Sequence, residues 1–544
     1  MEFNTICELV DKASATYGRK LLYKTETSSI AYKELTPMVD NYAINLNDVK
    51  GEKIGILSEN RFEWEIAFFA ILKSGNIVVP LDKNLTEDEI KEIVSSLNIK
   101  YVFTSNLYAK KLSCIENVMV FEDLNVMDNL DKTLNPVEIK PENEAVIAFT
   151  SGTTRTAKMV VLTHKNLCSN IHSVEQVYDL GTDDVCLSAM PLSHVLEGLF
   201  NMLNCINVGA TRVHINGVEN IIDALDNYKI TYMGAVPAVL DYLLNYEEEL
   251  SHVAKRINMF MCGGAKLSPD TVNGYAKLGI KVIQGYGLTE CSPVVSLETD
   301  KHHRLGSVGK PLPGVTVEIE EKDEDGLGQI VITSDSTGTY KDIVCSFPEL
   351  YTGDLGYIDE DGFLFISGRK KDMIVLQNGK KVFPEEIEAM LNRIDLVKES
   401  LVYEDSGKIV ALIVTDNIKN KAKIEEKVER VNKLLSVYKR VQNIKVQKEE
   451  LPKTVLGKIK RNIAIPKDNK IEKGNNKEAI VISIVKEQTK KESVKLEDKL
   501  LEDLGADSLD IATIICKVQK EFNIKFSREQ KANIKTVKDI IKEI

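Results

Sequence analysis

The sequence predicts an α/β protein with a large N-terminal α/β domain that carries a barrel-like module, a smaller α/β domain and a C-terminal helical bundle. Between about residues 50 and 300, short β-branched runs alternate with longer amphipathic stretches, a pattern that favours parallel α/β layers. Turn-rich segments then bracket further strand-like runs, which indicates the barrel-like module. Beyond residue 478, apolar residues recur at helical spacing, as in a small helical bundle.

The composition supports several globular cores and excludes some classes of protein. The chain has 544 residues, too many for one ordinary domain, and 43% of them are apolar. A net charge of −12 argues against a nucleic-acid partner, because phosphate contacts need clustered Lys and Arg. Nine cysteines form no CxxC pair, so we expect neither a zinc site nor a disulfide framework. With no signal-peptide pattern and no membrane span in the sequence, a cytoplasmic location is expected.

Local patterns predict the elements of the large domain. Predicted strands are Lys53–Leu57, 76–80, Tyr101–Thr104, 145–149 and 256–261. Amphipathic spacing predicts helices at Glu87–Leu97 and 218–228. In the barrel-like module, the turn-rich segments 309–314 and 323–328 alternate with predicted strands at 315–319 and 329–333.

The domain limits follow from changes in pattern. The large domain is expected at 1–368 and the small α/β domain at 369–465, after the charged turn that begins at Gly368. Residues 466–477 are polar and rich in turn formers, which predicts a linker. In 478–544, helical spacing is clearest for Ile511, Ile515, Val518 and Phe522.

A loop at 150–158 follows the apolar run 145–149 and has the chemistry of a phosphate-binding loop. Its hydroxyls, its backbone amides and the cations of Arg155 and Lys158 can cradle a polyphosphate. A polar strand-to-helix loop without a ligand is the competing interpretation. A Walker A loop is excluded, because six positions separate Gly152 from Lys158 and Met159 stands where a magnesium-binding hydroxyl is required.

Four further segments carry candidate chemistry. Residues 284–290 combine close-approach glycines with Tyr286, which can stack on a base, and Glu290, which can hold Mg²⁺. Residues 351–356 place Asp354 where it could accept the two hydroxyls of a ribose. Residues 368–372 join the two α/β domains, and residues 451–459 place Lys458 behind a glycine.

Together these segments resemble the adenylate-forming superfamily of acyl-CoA synthetases, luciferases and peptide-synthetase adenylation domains. The resemblance runs from about Thr5 to Ile465, and the segments at 236–240 and 309–314 are most similar to bacterial fatty acyl ligases. It implies a large adenylate-forming domain and a small mobile domain. It also implies ATP and Mg²⁺ as cofactors and a carboxylic acid, of the fatty class, as substrate.

The resemblance also implies roles for individual residues. The implied catalytic residues are Thr150, Lys158, His194, Glu290 and Lys458. The implied ATP-binding residues are Ser151, Gly152, Thr153, Thr154, Gly263, Gly264, Ala265, Tyr286, Gly287, Thr289, Asp354 and Arg369. Among these, Glu290 would bind the magnesium ion, Lys458 would bridge the carboxylate and the α-phosphate, and His194 would gate the acyl pocket. Lys371 would be the hinge, and Gly379 would line the tunnel for the pantetheine thiol.

The chain departs from this family where most relatives carry glycine, proline and glycine. Here Arg155, Ala157 and Met159 occupy those positions, which restricts backbone approach to phosphate while adding a charge. The tryptophan usual before the segment of Asp354 is also absent. Because the charged residues expected of the site remain, the sequence favours an active enzyme over a degenerate nucleotide-binding module that scaffolds or regulates a carrier.

The C-terminal region resembles an acyl carrier protein. Ser508 lies within Asp507-Ser508-Leu509 at the predicted start of a helix, where a serine with a purely structural role would be an N-cap. The resemblance implies instead that Ser508 carries 4′-phosphopantetheine, attached by a phosphopantetheinyl transferase. Lys517 and Lys520 make the following helix less acidic than in many carriers. Downstream partners would be acyl-transfer enzymes or polyketide, peptide or lipid assembly enzymes.

Two reactions remain open at this point. In the first, the ligase forms an acyl-adenylate and loads the thiol on Ser508 of its own chain. In the second, the thiol is that of CoA and the fused carrier serves a later step.

Overall fold

The computed structural model describes residues 1–25, 29–124, 132–150, 158–324, 326–340, 349–376, 380–405, 407–453 and 459–465, and near the C-terminus residues 477–489, 491, 494–501, 503, 504, 506, 508–522, 524, 526, 527, 530, 531 and 534–543. The chain forms two compact units, Met1–Ile465 and Pro466–Ile544. The described helices include none long and apolar enough to cross a membrane.

The large domain is built on three sheets. Its described strands are β1 (Leu21–Lys24), β2 (Ser29–Ala31), β3 (Lys53–Leu57), β4 (Ile77–Pro80), β5 (Tyr101–Thr104), β6 (Asn117–Val120), β7 (Glu144–Phe149), β8 (Met159–Thr163), β9 (Val185–Ser188), β10 (Thr211–His214), β11 (Tyr232–Ala235), β12 (Met259–Cys262), β13 (Val282–Gly287), β14 (Val294–Leu297), β15 (Lys310–Pro311), β16 (Val315–Glu320), β17 (Gly328–Ser334), β18 (Thr339–Tyr340), β19 (Leu350–Ile358) and β20 (Leu364–Arg369).

The order of these strands confirms the predicted α/β class and its barrel-like module. Within the described residues, one sheet runs β15-β14-β13-β12-β11-β9-β10-β1-β2 and a second runs β18-β8-β7-β4-β3-β5-β6. Their central strands pair in parallel, whereas the β7–β8 and β13–β14 pairs are antiparallel. A third, antiparallel sheet, β16-β17-β19-β20, is the barrel-like module.

Helices cover the first two sheets. They are α1 (Ile6–Tyr17), α2 (Leu35–Ile44), α3 (Phe62–Lys73), α4 (Glu87–Leu97), α5 (His164–Glu175), α6 (Met202–Val208), α7 (Ile221–Asn227), α8 (Pro237–Leu243), α9 (Glu247–Val253) and α10 (Pro269–Leu278). In α3, Trp64 and Phe68 are fully buried, because this helix lies in the core. A π-helical segment, Leu196–Asn201, precedes α6.

Most predicted elements lie where the sequence places them, and the differences have local causes. Helix α4 and strand β3 have the predicted bounds. The helix predicted at 218–228 is a 3₁₀ turn, Val218–Asn220, followed by α7. The strand predicted at 256–261 begins only at Met259, because Arg256 ends a turn and its guanidinium donates to the Leu225 carbonyl (2.7 Å).

The small domain follows β20. Its described strands are β21 (Ile374–Val375), β22 (Lys381–Val382), β23 (Glu399–Asp405), β24 (Lys408–Val414) and β25 (Asn443–Gln447), and its helices are α11 (Pro384–Leu391), α12 (Lys421–Leu434) and α13 (Arg461–Ala464). Helices α11 and α12 bury Ile387, Leu391, Ile424 and Val428 in one core. An ion pair between Arg393 and Asp270 (2.9 Å) links this domain to the large one.

The C-terminal unit has the predicted helical character. Its described helices are α14 (Lys477–Thr489), α15 (Ser508–Phe522) and α16 (Val537–Lys542). Their apolar faces meet through Val481, Val485, Ile514, Val518 and Ile540, which are buried together. Helix α14 begins at Lys477, one residue before the predicted start of this domain.

Candidate active site

The predicted ribose-binding residues lie where the first and third sheets meet. Asp354 and Arg369 are directly opposite each other on β19 and β20, and Arg369 Nε lies 3.0 Å from Asp354 Oδ1. The Tyr286 hydroxyl, at the end of β13, donates to Asp354 Oδ2 (2.7 Å). Burial, together with the Asp354 charge, raises the pKa of the Tyr286 hydroxyl, which therefore stays a donor at neutral pH. The three predicted residues thus form one hydrogen-bonded group, in which Tyr286 engages the carboxylate through its hydroxyl.

Adjacent parallel strands place the other predicted nucleotide residues beside this group. Cys262, the last residue of β12, pairs with Gln284 in β13. Gly263, Gly264 and Ala265 therefore leave the same edge of the sheet as Tyr286. Gly264 has a φ of +82°, a conformation that favours glycine. Gly287 packs so closely that a Cβ there would lie 2.0 Å from the Pro293 carbonyl oxygen.

The predicted phosphate residues Glu290 and Lys158 gather around a tyrosine. Glu290 lies in a 3₁₀ turn, Thr289–Cys291, just after β13. The Tyr340 hydroxyl donates to Glu290 Oε1 (2.8 Å), and Lys158 Nζ lies 4.9 Å from the centre of the Tyr340 ring. Sequence reasoning missed Tyr340, since its partners are remote in the chain. The only sequence signal was its place in the short β-prone run Thr339–Tyr340.

The predicted phosphate loop follows a strand and leads to a second strand, not to the helix of the competing interpretation. Strands β7 and β8 are antiparallel, with Phe149 opposite Met159, so residues 150–158 connect the two strands of a hairpin. The Thr150 N–H donates to the Lys158 carbonyl (3.0 Å) at the base of this connection. Ser151, Gly152, Thr153 and Thr154 lie outside the described residues, as do Arg155 and Ala157.

His194 lies two residues before the π-helical segment. Burial lowers its pKa to about 4, so the ring is neutral at neutral pH. Its Nδ1 accepts a hydrogen bond from the Leu196 N–H (3.3 Å). The segment before it is held by the buried Asn60 side chain, which donates to the Met190 carbonyl (2.7 Å) and accepts from the Leu192 N–H (3.1 Å).

A buried ionic network fixes the segment after His194. Glu197 Oε1 accepts from Arg212 (3.0 Å), and Arg212 Nε also donates to Glu65 Oε1 (2.8 Å). The hydroxyl of Tyr23 donates to Glu65 Oε2 (2.7 Å). Because this network ties α3 and β10 to the π-helical segment, it couples the position of His194 to the core of the large domain.

The structure describes only some of the remaining predicted residues. Lys371 is exposed in the turn between β20 and β21, beside an open cleft of about 470 Å³ in the small domain. Lys458 and Gly379 lie outside the described residues. Ser508 is the first residue of α15, as the sequence predicts for the start of this helix.

Glu290 has the donor chemistry that Mg²⁺ prefers. A carboxylate with one hydrogen bond to Oε1 keeps acceptor capacity for a hard cation. Within the described part of the chain, no group of three or more His, Cys, Asp or Glu side chains is arranged to hold a metal. Magnesium at Glu290 would therefore complete its shell with phosphate oxygens and water, as Mg²⁺ commonly does.

Comparisons with protein families account for the chain in three parts. A family described as AMP-binding enzyme matches residues 10–339, and one described as AMP-binding enzyme C-terminal domain matches residues 371–473. A third, described as phosphopantetheine attachment site, matches residues 479–544.

Individual relatives extend the comparison. A 2-succinylbenzoate–CoA ligase of Lactococcus lactis is 29% identical over 461 residues, covering 83% of this chain and 98% of that protein. A long-chain-fatty-acid–CoA ligase of Yersinia pestis is 27% identical and covers 84% of this chain and 93% of that protein. The fold is shared with ATP-bound MatB from Rhodopseudomonas palustris (TM-score 0.74, 23% identity, 84% and 98% coverage). It is also shared with the O-succinylbenzoate coenzyme A synthetase of Bacillus subtilis bound to ATP and magnesium (TM-score 0.73, 23% identity, 84% and 98% coverage).

Proposed function

Because the chain belongs to the AMP-binding enzyme family, we propose that it activates a fatty carboxylic acid as its acyl-adenylate and transfers the acyl group to phosphopantetheine on Ser508. The coarser activity, ATP-dependent acyl-adenylate formation by a ligase with a fused carrier domain, follows from the family membership. The identity of the acid and that of the acceptor thiol are what we propose. The proposed domain limits are 1–368, 369–465 and 478–544, with a linker at 466–477.

One observation supports this proposal: polar and charged side chains from the three sheets lie together and have the chemistry to bind a nucleotide. Tyr286, Asp354 and Arg369 form one half, and Glu290 with Lys158 forms the other. The first half offers a buried carboxylate for ribose hydroxyls. The second offers a carboxylate and an ammonium group for magnesium and phosphate.

In the first half-reaction, a carboxylate oxygen of the acid attacks the α-phosphorus of ATP, and the bond from that phosphorus to pyrophosphate breaks. Both reactants are anionic, so cationic side chains lower the barrier by stabilising the charge that develops on phosphorus. We assign this role to Lys158 and Lys458. When bound, Mg²⁺ would supply further charge neutralisation of the phosphates. Asp354 and Tyr286 orient the nucleotide for in-line attack, which contributes through positioning.

In the second half-reaction, a thiolate attacks the acyl carbonyl and AMP departs, after the thiol has lost its proton to solvent. We propose that the small domain turns about Lys371, removes Lys458 from the site and brings in the segment of Gly379. A hinge absorbs such a rotation in a few backbone torsions. Lys371 lies in an exposed turn between two strands, which suits this role.

The fatty class of the acid rests on the sequence resemblance and on relatives of that name. A long-chain-fatty-acid–CoA ligase is among the similar proteins, but a 2-succinylbenzoate–CoA ligase is as well. Since both relatives are named as CoA ligases, formation of acyl-CoA is the second candidate function. In that case a phosphopantetheinyl transferase would still modify Ser508, for a later acyl-transfer step.

The test is acid-dependent ATP–pyrophosphate exchange with a panel of carboxylic acids of graded chain length. The full chain, modified on Ser508, should then be incubated with acid and ATP, with and without CoA, and its carrier mass measured. We expect exchange with a fatty acid and an acyl mass shift on the carrier. Acyl-CoA formation without carrier acylation would favour the second candidate, and absence of exchange with every acid would contradict the ligase activity.

Two variants separate the half-reactions. Lys458→Ala should abolish exchange but largely spare thioester formation from supplied acyl-adenylate, because this lysine is assigned only to the first transition state. Ser508→Ala is the matched control, which should keep exchange and lose carrier acylation. Equal loss of both half-reactions in Lys458→Ala would contradict the assignment.

A further inference from the structure

Tyr340 lies between two oppositely charged residues of the proposed phosphate site. Its hydroxyl donates to Glu290 Oε1 (2.8 Å), and its ring faces the ammonium of Lys158 at 4.9 Å. Lys158 is exposed and Glu290 is partly buried. One side chain therefore makes a hydrogen bond to the anion and a cation–π contact with the cation.

The backbone around Tyr340 is fixed from two sides. Strand β18 pairs with β8, where Tyr340 is opposite Val160, two residues beyond Lys158. The Gly338 N–H donates to the Glu290 carbonyl (2.9 Å). A Cβ on Gly338 would lie 2.5 Å from the Val161 carbonyl oxygen, so the backbones approach closely. The position of the tyrosine ring is thus set by both elements that carry the charged residues.

We propose that Tyr340 is a positioning residue of the nucleotide site, which orients Glu290 for a magnesium ion and seats Lys158 for the phosphates of ATP. This inference rests on the proposed function. A direct Glu290–Lys158 ion pair would satisfy both charges before ATP arrives. With Tyr340 between them, the Glu290 carboxylate accepts one hydrogen bond from a neutral donor and keeps its other acceptor positions. The Lys158 ammonium makes only a weak contact with the ring, which a phosphate can replace.

Tyr340 also lies within electrostatic range of Arg369, which pairs with Asp354. The tyrosine therefore lies at the boundary between the two halves of the site.

Two substitutions separate the two contacts. Tyr340→Phe keeps the ring over Lys158 and removes the donor to Glu290, whereas Tyr340→Leu removes both. Calorimetry on the full chain should measure the Kd of ATP with saturating Mg²⁺ and again with EDTA, alongside the melting temperature. Tyr357→Phe is the matched control, since Tyr357 stacks on Phe365 and contacts none of the proposed site residues among the interactions described.

For Tyr340→Phe we expect about tenfold weaker ATP binding with Mg²⁺ and less than about twofold change in EDTA, since a hydrogen bond to a charged group is lost. Tyr340→Leu should weaken ATP binding in both conditions. Equal effects of Tyr340→Phe with Mg²⁺ and with EDTA, or no effect at all, would overturn the inference, as would a wild type that binds no ATP.

The same experiment distinguishes the inference from the proposed function. If the wild type binds MgATP and the variants show the expected effects, but the wild type catalyses no acid-dependent exchange, the positioning role is supported and the ligase activity is contradicted. If exchange at limiting Mg²⁺ is normal both in the wild type and in Tyr340→Phe, the ligase activity is supported and the positioning role is contradicted.

Discussion

At the scale of single residues, we propose that the orientation of the nucleotide depends on the hydroxyl of Tyr286. It donates to Asp354, a buried carboxylate whose other oxygen faces Arg369. Tyr286→Phe should raise the KM for ATP about tenfold, because loss of a hydrogen bond to a buried charged group costs about 1.5–3 kcal/mol. The measurement is steady-state exchange at varied ATP.

Tyr17→Phe provides the matched control for Tyr286→Phe. It also loses a tyrosine hydrogen bond, to the Asn207 carbonyl (2.8 Å), but Tyr17 is the last residue of α1 and is far from the proposed site residues in sequence. It should lower the melting temperature and leave the KM for ATP unchanged. An equal rise of KM in both variants would contradict a specific role of Tyr286.

His164 predicts how stability depends on pH. Its Nδ1 accepts from the Ile6 N–H (3.2 Å), and burial lowers its pKa to about 4, below the ordinary value of 6.5. Below pH 6.5 the unfolded chain binds a proton that the folded chain refuses until about pH 4, so stability falls as pH falls through this window. The maximal cost is about 3 kcal/mol, at 1.36 kcal/mol for each pH unit.

We expect His164→Gln, which retains an acceptor for Ile6, to lose this part of the acid sensitivity. The measurement is the melting temperature of the large-domain transition between pH 7 and pH 4, compared with the wild type. His194 and His214, whose pKa values burial also lowers to about 4, keep their own contribution in that variant. Parallel pH profiles of variant and wild type would show that His164 is not one of the groups responsible.

At the scale of elements, the turn after β13 depends on a close backbone approach at Gly287. An added Cβ would lie 2.0 Å from the Pro293 carbonyl oxygen and 3.1 Å from Val294 Cα, both backbone atoms. Gly287→Ala must therefore displace the turn that carries Glu290. We expect a cost of about 1–3 kcal/mol in stability, as for other overpacked sites, and a clear loss of ATP–pyrophosphate exchange.

Gly181→Ala is the control for Gly287→Ala, because its Cβ would lie 3.9 Å from Asp184 Oδ2, an ordinary contact. It should leave both the exchange rate and the melting temperature nearly unchanged. Wild-type exchange in Gly287→Ala would contradict the role of this close approach in placing Glu290.

Elements with local signals were predictable, and those defined by distant partners were not. Helix α4 begins after Thr86, whose side chain accepts from the Glu89 N–H, and ends at Asn98, which has the left-handed conformation. Both residue types are common helix caps, so the sequence predicts both ends of this helix. The antiparallel pairing of β7 with β8 was not predicted, although Met159–Thr163 contains β-branched residues, because a single strand gives no local signal of the strand with which it pairs. Tyr340 was missed because Glu290 is fifty residues away.

At the scale of the whole molecule, sequence motifs identified segments of the site, whereas only the fold brings them together. Tyr286 and Asp354 are 68 residues apart, and Arg212 and Glu65 are 147 residues apart. No local pattern specifies such pairs. The buried Arg212 network in particular has no motif, since each member alone resembles an ordinary charged residue.

The chain length between the ligase and the carrier makes loading within one molecule the expected route. The predicted linker, 466–477, is about a dozen residues long, and a random coil of that length spans about 20 Å. Rotation of the small domain and the phosphopantetheine arm would add to this reach. Tethering raises the local concentration of the thiol to roughly the millimolar range, well above that of a dilute free carrier.

Complementation between two defective chains tests this route. A Ser508→Ala chain with an intact ligase is mixed with a Lys458→Ala chain whose Ser508 carries phosphopantetheine, and acylation of the carrier is followed by mass. Because the intact ligase must then meet a carrier on another chain, we expect acylation far slower than in the wild type at nanomolar concentration, with a rate that rises with concentration. The wild-type rate should not depend on concentration. Complementation as fast as the wild type at nanomolar concentration would contradict loading within one chain and would indicate a stable dimer that loads across its two chains.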